Sequence, residues 1–202
     1  MSTHLLDRID YWATVCPNRV AVQSGSQTIT WQDLITRANT LAVWLHQEFA
    51  SVPGPVAVRG HKEPEMLVAF LAAVKSGRAY VPMDASIPEQ RTAKIIEGSA
   101  AVVVLTPERV QEIISQTPRK ETTPLKRVQQ DDPFYLLFTS GSTGEPKGVV
   151  ITLRNLTAFT DWLLAEHEFT AQGEVFLNQA PFSFDLSVMD LYGSLLTGGT
   201  LA

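Results

Sequence analysis

The chain has 202 residues and a net charge of −5, from 16 Lys and Arg against 21 Asp and Glu. At 45% hydrophobic and 18% charged residues it can bury a sizeable core, which excludes the highly charged, weakly apolar composition of disordered chains. The acidic balance excludes a protein whose main task is to neutralise a nucleic-acid backbone, so any phosphate must be held by a local site. The single cysteine, Cys16, cannot form an internal disulfide, which points to a reducing compartment. Asp7, Arg8 and Asp10 place charge where a signal peptide would be apolar. The longest uncharged apolar run, residues 66–74, is about half of the ~18 residues that suggest a membrane span. The expectation is a cytoplasmic chain with no membrane insertion.

Leu5, Leu6, Ile9, Trp12, Ala13 and Cys16 fall on one helical face, and Pro17-Asn18 ends that helix. Two short strands, 21–23 and 28–30, follow around Ser-Gly-Ser. Thr30 and Asp33 open a helix whose buried stripe is Leu34, Ala38, Leu41, Ala42 and Leu45. The pattern predicts a buried strand at 55–58, a helix at 64–75 closed by Gly77, and a short strand at Tyr80-Val81 broken by Pro82. A capped helix at 86–97 and a buried strand at 101–105 come next. Residues 116–132 have no apolar period and read as an exposed connection. Beyond them a strand at 134–138, a glycine-rich loop at 139–148, a strand at 149–151 and a helix at 153–166 are predicted. Leu156, Phe159, Leu163 and Leu164 point inward on that helix. A strand at 175–178 and a helix at 186–196 follow, then Gly198-Gly199 and the start of a strand at 200–202.

Apolar strands alternating with amphipathic helices indicate an α/β fold, largely parallel sheets with helices on both faces. The expected organisation is a first α/β subdomain over 1–115, a linker over 116–132, and the start of a second α/β subdomain, with a phosphate-binding loop, over 133–202.

The densest chemical signal is Phe-Thr-Ser-Gly-Ser-Thr-Gly-Glu-Pro-Lys-Gly, residues 138–148. Gly141, Gly144 and Gly148 let the backbone approach an anion, Thr139, Ser140, Ser142 and Thr143 add hydroxyl donors, and Lys147 adds one positive charge. It is not a Walker loop, because Lys147 lies between Pro146 and Gly148 instead of before Ser or Thr, and the glycines lack dinucleotide-fingerprint spacing. The motif resembles the phosphate-binding signature of the adenylate-forming (AMP-binding) enzymes, which include acyl-CoA synthetases, luciferase and the adenylation domains of peptide synthetases. Residues 29–34 and 74–84 resemble two further family blocks in order and spacing. No catalytic role is assigned to the second.

In Phe182-Ser-Phe-Asp-Leu-Ser187, Asp185 sits among apolar neighbours, where an ionised carboxylate needs a cationic partner or several hydrogen bonds. Residue type alone favours a helix-capping role. The resemblance implies instead that Asp185 receives the α-ammonium group of an amino-acid substrate. Residues 60–66, 86–99 and 176–192 resemble the members that load D-alanine onto a carrier protein for teichoic acid synthesis. That resemblance implies ATP with its accompanying Mg2+, D-alanine or a similar small amino acid, and a phosphopantetheinylated carrier protein. Thr139, Ser140, Gly141, Ser142, Thr143, Gly144, Lys147 and Gly148 would hold the triphosphate and the departing pyrophosphate, and Lys147 would have the catalytic role. A peptide-synthetase adenylation domain for another small amino acid, and a non-catalytic truncated product, stay open. The ribose-binding aspartate and C-terminal lysine that the family implies have no counterpart in 1–202, so the isolated chain is expected to be inactive in the full reaction. His4, His46, His61 and His167 are dispersed, and Trp12, Trp31, Trp44 and Trp162 read as core or interface aromatics. No protein ligand for a metal is assigned.

Overall fold

The computed structural model describes residues 4–117, 126–140, 145–169 and 173–202. Helix α1 (Leu5–Val15) starts at His4, whose imidazole accepts the Leu6 amide proton, and buries Leu5, Leu6 and Ile9. Strands β1 (Val20–Ser24) and β2 (Gln27–Thr30) form an antiparallel hairpin around Gly25, whose φ of +58° suits a residue without a side chain. Thr30 Oγ1 accepts the Asp33 amide proton at the head of α2 (Trp31–Phe49). Every residue of the expected stripe, Leu34 through Leu45, is buried on that helix.

Strand β3 (Val56–Gly60), α3 (Pro64–Lys75), β4 (Tyr80–Asp84), α4 (Glu89–Ser99) and β5 (Val103–Leu105) continue the alternation. Helix α3 is buried on every side because it packs against α2 and against strands of both sheets. That explains its unbroken apolar run. Its two charged ends are neutralised locally: Arg37 donates to Glu65 at 2.6 Å, and Lys75 donates to Asp10 at 2.5 Å and to Asn39 at 2.7 Å.

After α5 (Pro107–Gln116), strands β6 (Pro133–Ser140) and β7 (Pro146–Thr152) pair antiparallel. Helix α6 (Leu153–Glu166) opens with a reciprocal capping box between Thr152 and Asn155. Strand β8 (Val175–Phe176), α7 (Ser187–Thr197) and β9 (Thr200–Leu201) follow, with Gly198 at φ +68° closing α7. One sheet has the order β5-β3-β4-β6-β7, parallel except for β7. The other has the order β2-β1-β9-β8, in which β1, β9 and β8 are parallel. Both sheets draw strands from either side of residues 116–132, through the β4–β6 and β1–β9 pairings.

The structure departs from the expected elements in four places. Helix α4 begins at Glu89 instead of Ser86, because residues 84–87 make a turn, with the Ile87 N–H donating to the Asp84 carbonyl and the Ser86 amide and hydroxyl to the Asp84 carboxylate, and Pro88 at ψ 144° is not yet helical. Strand β4 runs through Pro82; past Tyr80 it pairs only with β3, so its other side has no ladder bond that the missing N–H would have to supply. The sequence reading assigns nothing to 106–115, where α5 forms: Thr106 caps it, Pro107 occupies its first turn, and Val110 and Ile113 are buried. Within the expected exposed connection, Val128 is fully buried, its N–H donating to the Val74 carbonyl and its carbonyl bonded to His4.

Candidate functional site

Of the six described residues of the expected phosphate loop, five are strand. Thr139 pairs with Lys147, Ser140 with Pro146 and Phe138 with Gly148 along the β6–β7 ladder. Gly141, Ser142, Thr143 and Gly144 lie outside the described residues. At Gly148 an added Cβ would stand 3.1 Å from the Phe138 ring, so the glycine lets that ring lie across the hairpin. The arm is tied to α4 by Lys94, which donates to Glu145 at 2.7 Å. The two-residue period of β7 puts exposed Lys147 on the same face as Val149 and Ile151.

That face borders a cavity of about 550 Å³. Thr139, Ser140, Val149 and Ile151 enter it from the hairpin, Asp84, Ser86 and Arg91 from the end of β4 and the start of α4, and Ser183 and Asp185 from the segment before α7. The cavity therefore joins the hairpin to Asp185, the two features that the sequence singles out some forty residues apart. A second cavity of about 270 Å³, bordered by Asn155, Phe159 and Val188, shares Tyr135, Ile151 and Asp185 with the first.

Asp185 departs from its expected surroundings. It is exposed, as are its neighbours Phe184 and Leu186 at 59% and 75%, and it makes no ion pair among the described residues. Nor does it cap a helix: α7 starts from Leu186 without any side-chain cap. Its charge is nonetheless felt. Burial, with Asp185 nearby, pushes the Tyr135 hydroxyl up to about 12. The carboxylate is exposed, without an ion-pair partner among the described residues, and set between two cavities, an arrangement that suits a cationic ligand group.

Asp84 was given no role from sequence, yet it lines the same cavity and is only 4% exposed. Burial would raise its carboxyl, but bonds from the Ser86 hydroxyl and amide and from His61 outweigh that and hold it below the usual aspartate range. His61 Nδ1 lies 2.7 Å from Asp84 Oδ2. The available signal was position: Asp84 ends a parallel strand, and open α/β sheets bind ligands beyond the carboxyl ends of their strands. Lys62, in the loop after β3, donates to the Asn178 carbonyl and so links the two sheets. The Ser183 hydroxyl is buried without a hydrogen-bond partner among the described residues. No helix among the described residues is long and apolar enough to cross a membrane.

The AMP-binding enzyme family matches residues 9–202. A D-alanine–D-alanyl carrier protein ligase of Bacillus cytotoxicus is 42% identical across 98% of this chain, and one of Bacillus thuringiensis is 43% identical over the same share. The chain spans 42% of the length of each, corresponding to their N-terminal portion. Among solved structures, the N-terminal subdomain of Klebsiella oxytoca NpsA, in complex with 3-hydroxyanthranilyl-AMSN, superposes with a TM-score of 0.82 at 25% identity, covering 96% of this chain and 51% of its own. The nonribosomal peptide synthetase FmoA3 superposes with a TM-score of 0.85 at 28% identity, covering all of this chain and 22% of its own. With the β6–β7 hairpin, the cavity beside it and a match over nearly the whole chain, this protein belongs to the AMP-binding enzyme family.

Proposed function

We propose that these residues form the N-terminal part of an ATP-dependent ligase that activates D-alanine as D-alanyl-AMP and passes it to the phosphopantetheine thiol of a carrier protein, for teichoic acid D-alanylation in the cytoplasm. The observation that carries this reading is the single cavity bordered by both Thr139-Ser140 and Asp185. In the first half-reaction the substrate carboxylate attacks the α-phosphorus of ATP and pyrophosphate leaves. In the second, the thiol displaces AMP to form the thioester. The protein's task in the first step is placement and charge compensation. Thr139 and Ser140 donate to the triphosphate, and Gly141, Ser142, Thr143, Gly144 and Gly148 complete the cradle. Lys147 offsets charge on the departing pyrophosphate, and Asp185 pairs with the α-ammonium group. Mg2+ comes with ATP as part of the substrate. The ribose and carboxylate contacts belong to the part of the relatives' length that this chain does not span.

A second reading, an adenylation domain for another small amino acid, draws on the fold shared with FmoA3, one of whose structures is an α-methyl-L-serine-AMP bound form at 28% identity. The test is ATP–pyrophosphate exchange across a panel of D- and L-amino acids. It uses a chimaera that joins residues 1–202 to the C-terminal part of the Bacillus cytotoxicus relative. Exchange driven best by D-alanine, and lowered by about two orders of magnitude in Asp185→Ala, is the expected result. A preference for another amino acid selects the second reading, and an unchanged Asp185→Ala removes the ammonium role. The 202-residue chain alone is expected to give no D-alanine-dependent exchange.

A further inference from the structure

Among the described residues, Arg91 is the only basic side chain that borders the larger cavity, which it shares with the carboxylates of Asp84 and Asp185. Its guanidinium makes no ion pair and no hydrogen bond among the described residues. The acid nearest to it along the chain, Glu89, pairs with Arg59 at 2.5 Å, and Asp84 is taken by Ser86 and His61. Arg91 is the third residue of α4. There the helix dipole disfavours a cation, so neither the helix nor a partner accounts for an arginine at this position. Placement does suggest a reason. Arg91 lies one turn before Lys94, on the same face, and Lys94 holds Glu145 of the hairpin at 2.7 Å. Ile95, on that face too, borders the cavity. The face that carries Arg91 is thus clamped against the β6–β7 hairpin, beside Thr139 and Ser140.

We propose that Arg91 is a phosphate-positioning residue, whose planar guanidinium forks onto a phosphoryl group held by the β6–β7 hairpin: that of a bound triphosphate and, after its cleavage, of pyrophosphate. The proposal rests on the reading of the hairpin as a phosphate site and adds a contact from the opposite wall. It also sets a second positive charge, beside Lys147 of the hairpin, against the two carboxylates that line the cavity.

The test is calorimetric titration of the 202-residue chain with magnesium pyrophosphate, alongside Arg91→Gln, Arg91→Lys, the hairpin double variant Thr139→Val/Ser140→Ala, and Arg109→Gln as a distant change of equal charge. Arg91→Gln is expected to weaken binding by about tenfold, Arg91→Lys by less, and Arg109→Gln by under about twofold. The thermal midpoint of Arg91→Gln should stay level or rise slightly, since a cation leaves the first turn of a helix; a structural role would lower it. Arg91→Gln binding within about twofold of the unaltered chain, or equal losses in Arg91→Gln and Arg109→Gln, overturns the proposal. If the hairpin double variant loses binding in that case, the reading of the hairpin survives. No binding by the unaltered chain overturns both.

Discussion

Lys147 stands on the cavity side of β7 and Asp185 on the cavity's opposite segment, and neither side chain is held by an ion pair among the described residues. An exposed pair of charges left free in this way contributes little to the fold. Their value lies in what they meet. In the chimaera, Lys147→Ala is expected to slow D-alanine-dependent pyrophosphate exchange by about a hundredfold, whereas Arg109→Ala, in an exposed pair with Glu112 on α5, should leave it within about twofold. Equal rates for the two variants would remove Lys147 from the chemistry. The residue types at these positions were legible from sequence, but their surroundings were not. Asp185 has apolar neighbours along the chain, yet two of them turn outward and leave the carboxylate in solvent.

At the scale of elements, periodic signals translated directly. The ranges of α3 and α6 were readable in full, because Pro64 and the Thr152 cap mark their starts and an unbroken apolar run fills α3 while apolar residues recur on the inner face of α6. The failures have physical causes. In 139–148, glycine and hydroxyl residues suggest a loop, but the ladder extends to Ser140 and Pro146 because antiparallel pairing tolerates such residues once both strands are registered by Leu136, Leu137, Val149 and Val150. Helix α5 buries only Val110 and Ile113, too sparse a stripe to stand out between a strand and a polar connection. Helix α4 ends in an unusual way. Ala100 caps it at φ +52°, a left-handed conformation that disfavours a Cβ. Ala100→Gly is therefore expected to raise stability by about 0.5–1 kcal/mol, the relief of the Cβ contact less the added freedom of the unfolded chain. Urea denaturation checks this, and a lower midpoint would show that the Ala100 methyl packs usefully.

The whole molecule is held together around α3, between two sheets that share strands from both halves of the chain. Across that centre the buried hydroxyls of Tyr80 and Tyr192 meet at 2.8 Å. Near the cavity, Asp84 gathers the loop after β3 and the turn before α4 by bonding His61 and Ser86. This makes part of the stability dependent on a single carboxylate. Because the folded Asp84 titrates below the ordinary value of 3.8, its contribution is complete above that value and disappears as pH falls through the lower folded value. Asp84→Asn keeps the shape but replaces one accepting oxygen by a donor, which opposes the donors already aimed at it. At neutral pH this variant should be less stable by about 1–3 kcal/mol. On acidification the difference should shrink, since protonation takes the same charge from the unaltered chain. Urea midpoints of the two proteins, followed from neutral pH downward, should converge at the acid end. Curves that stay parallel throughout would mean that the carboxylate charge contributes nothing and that the misplaced amide donor alone causes the gap.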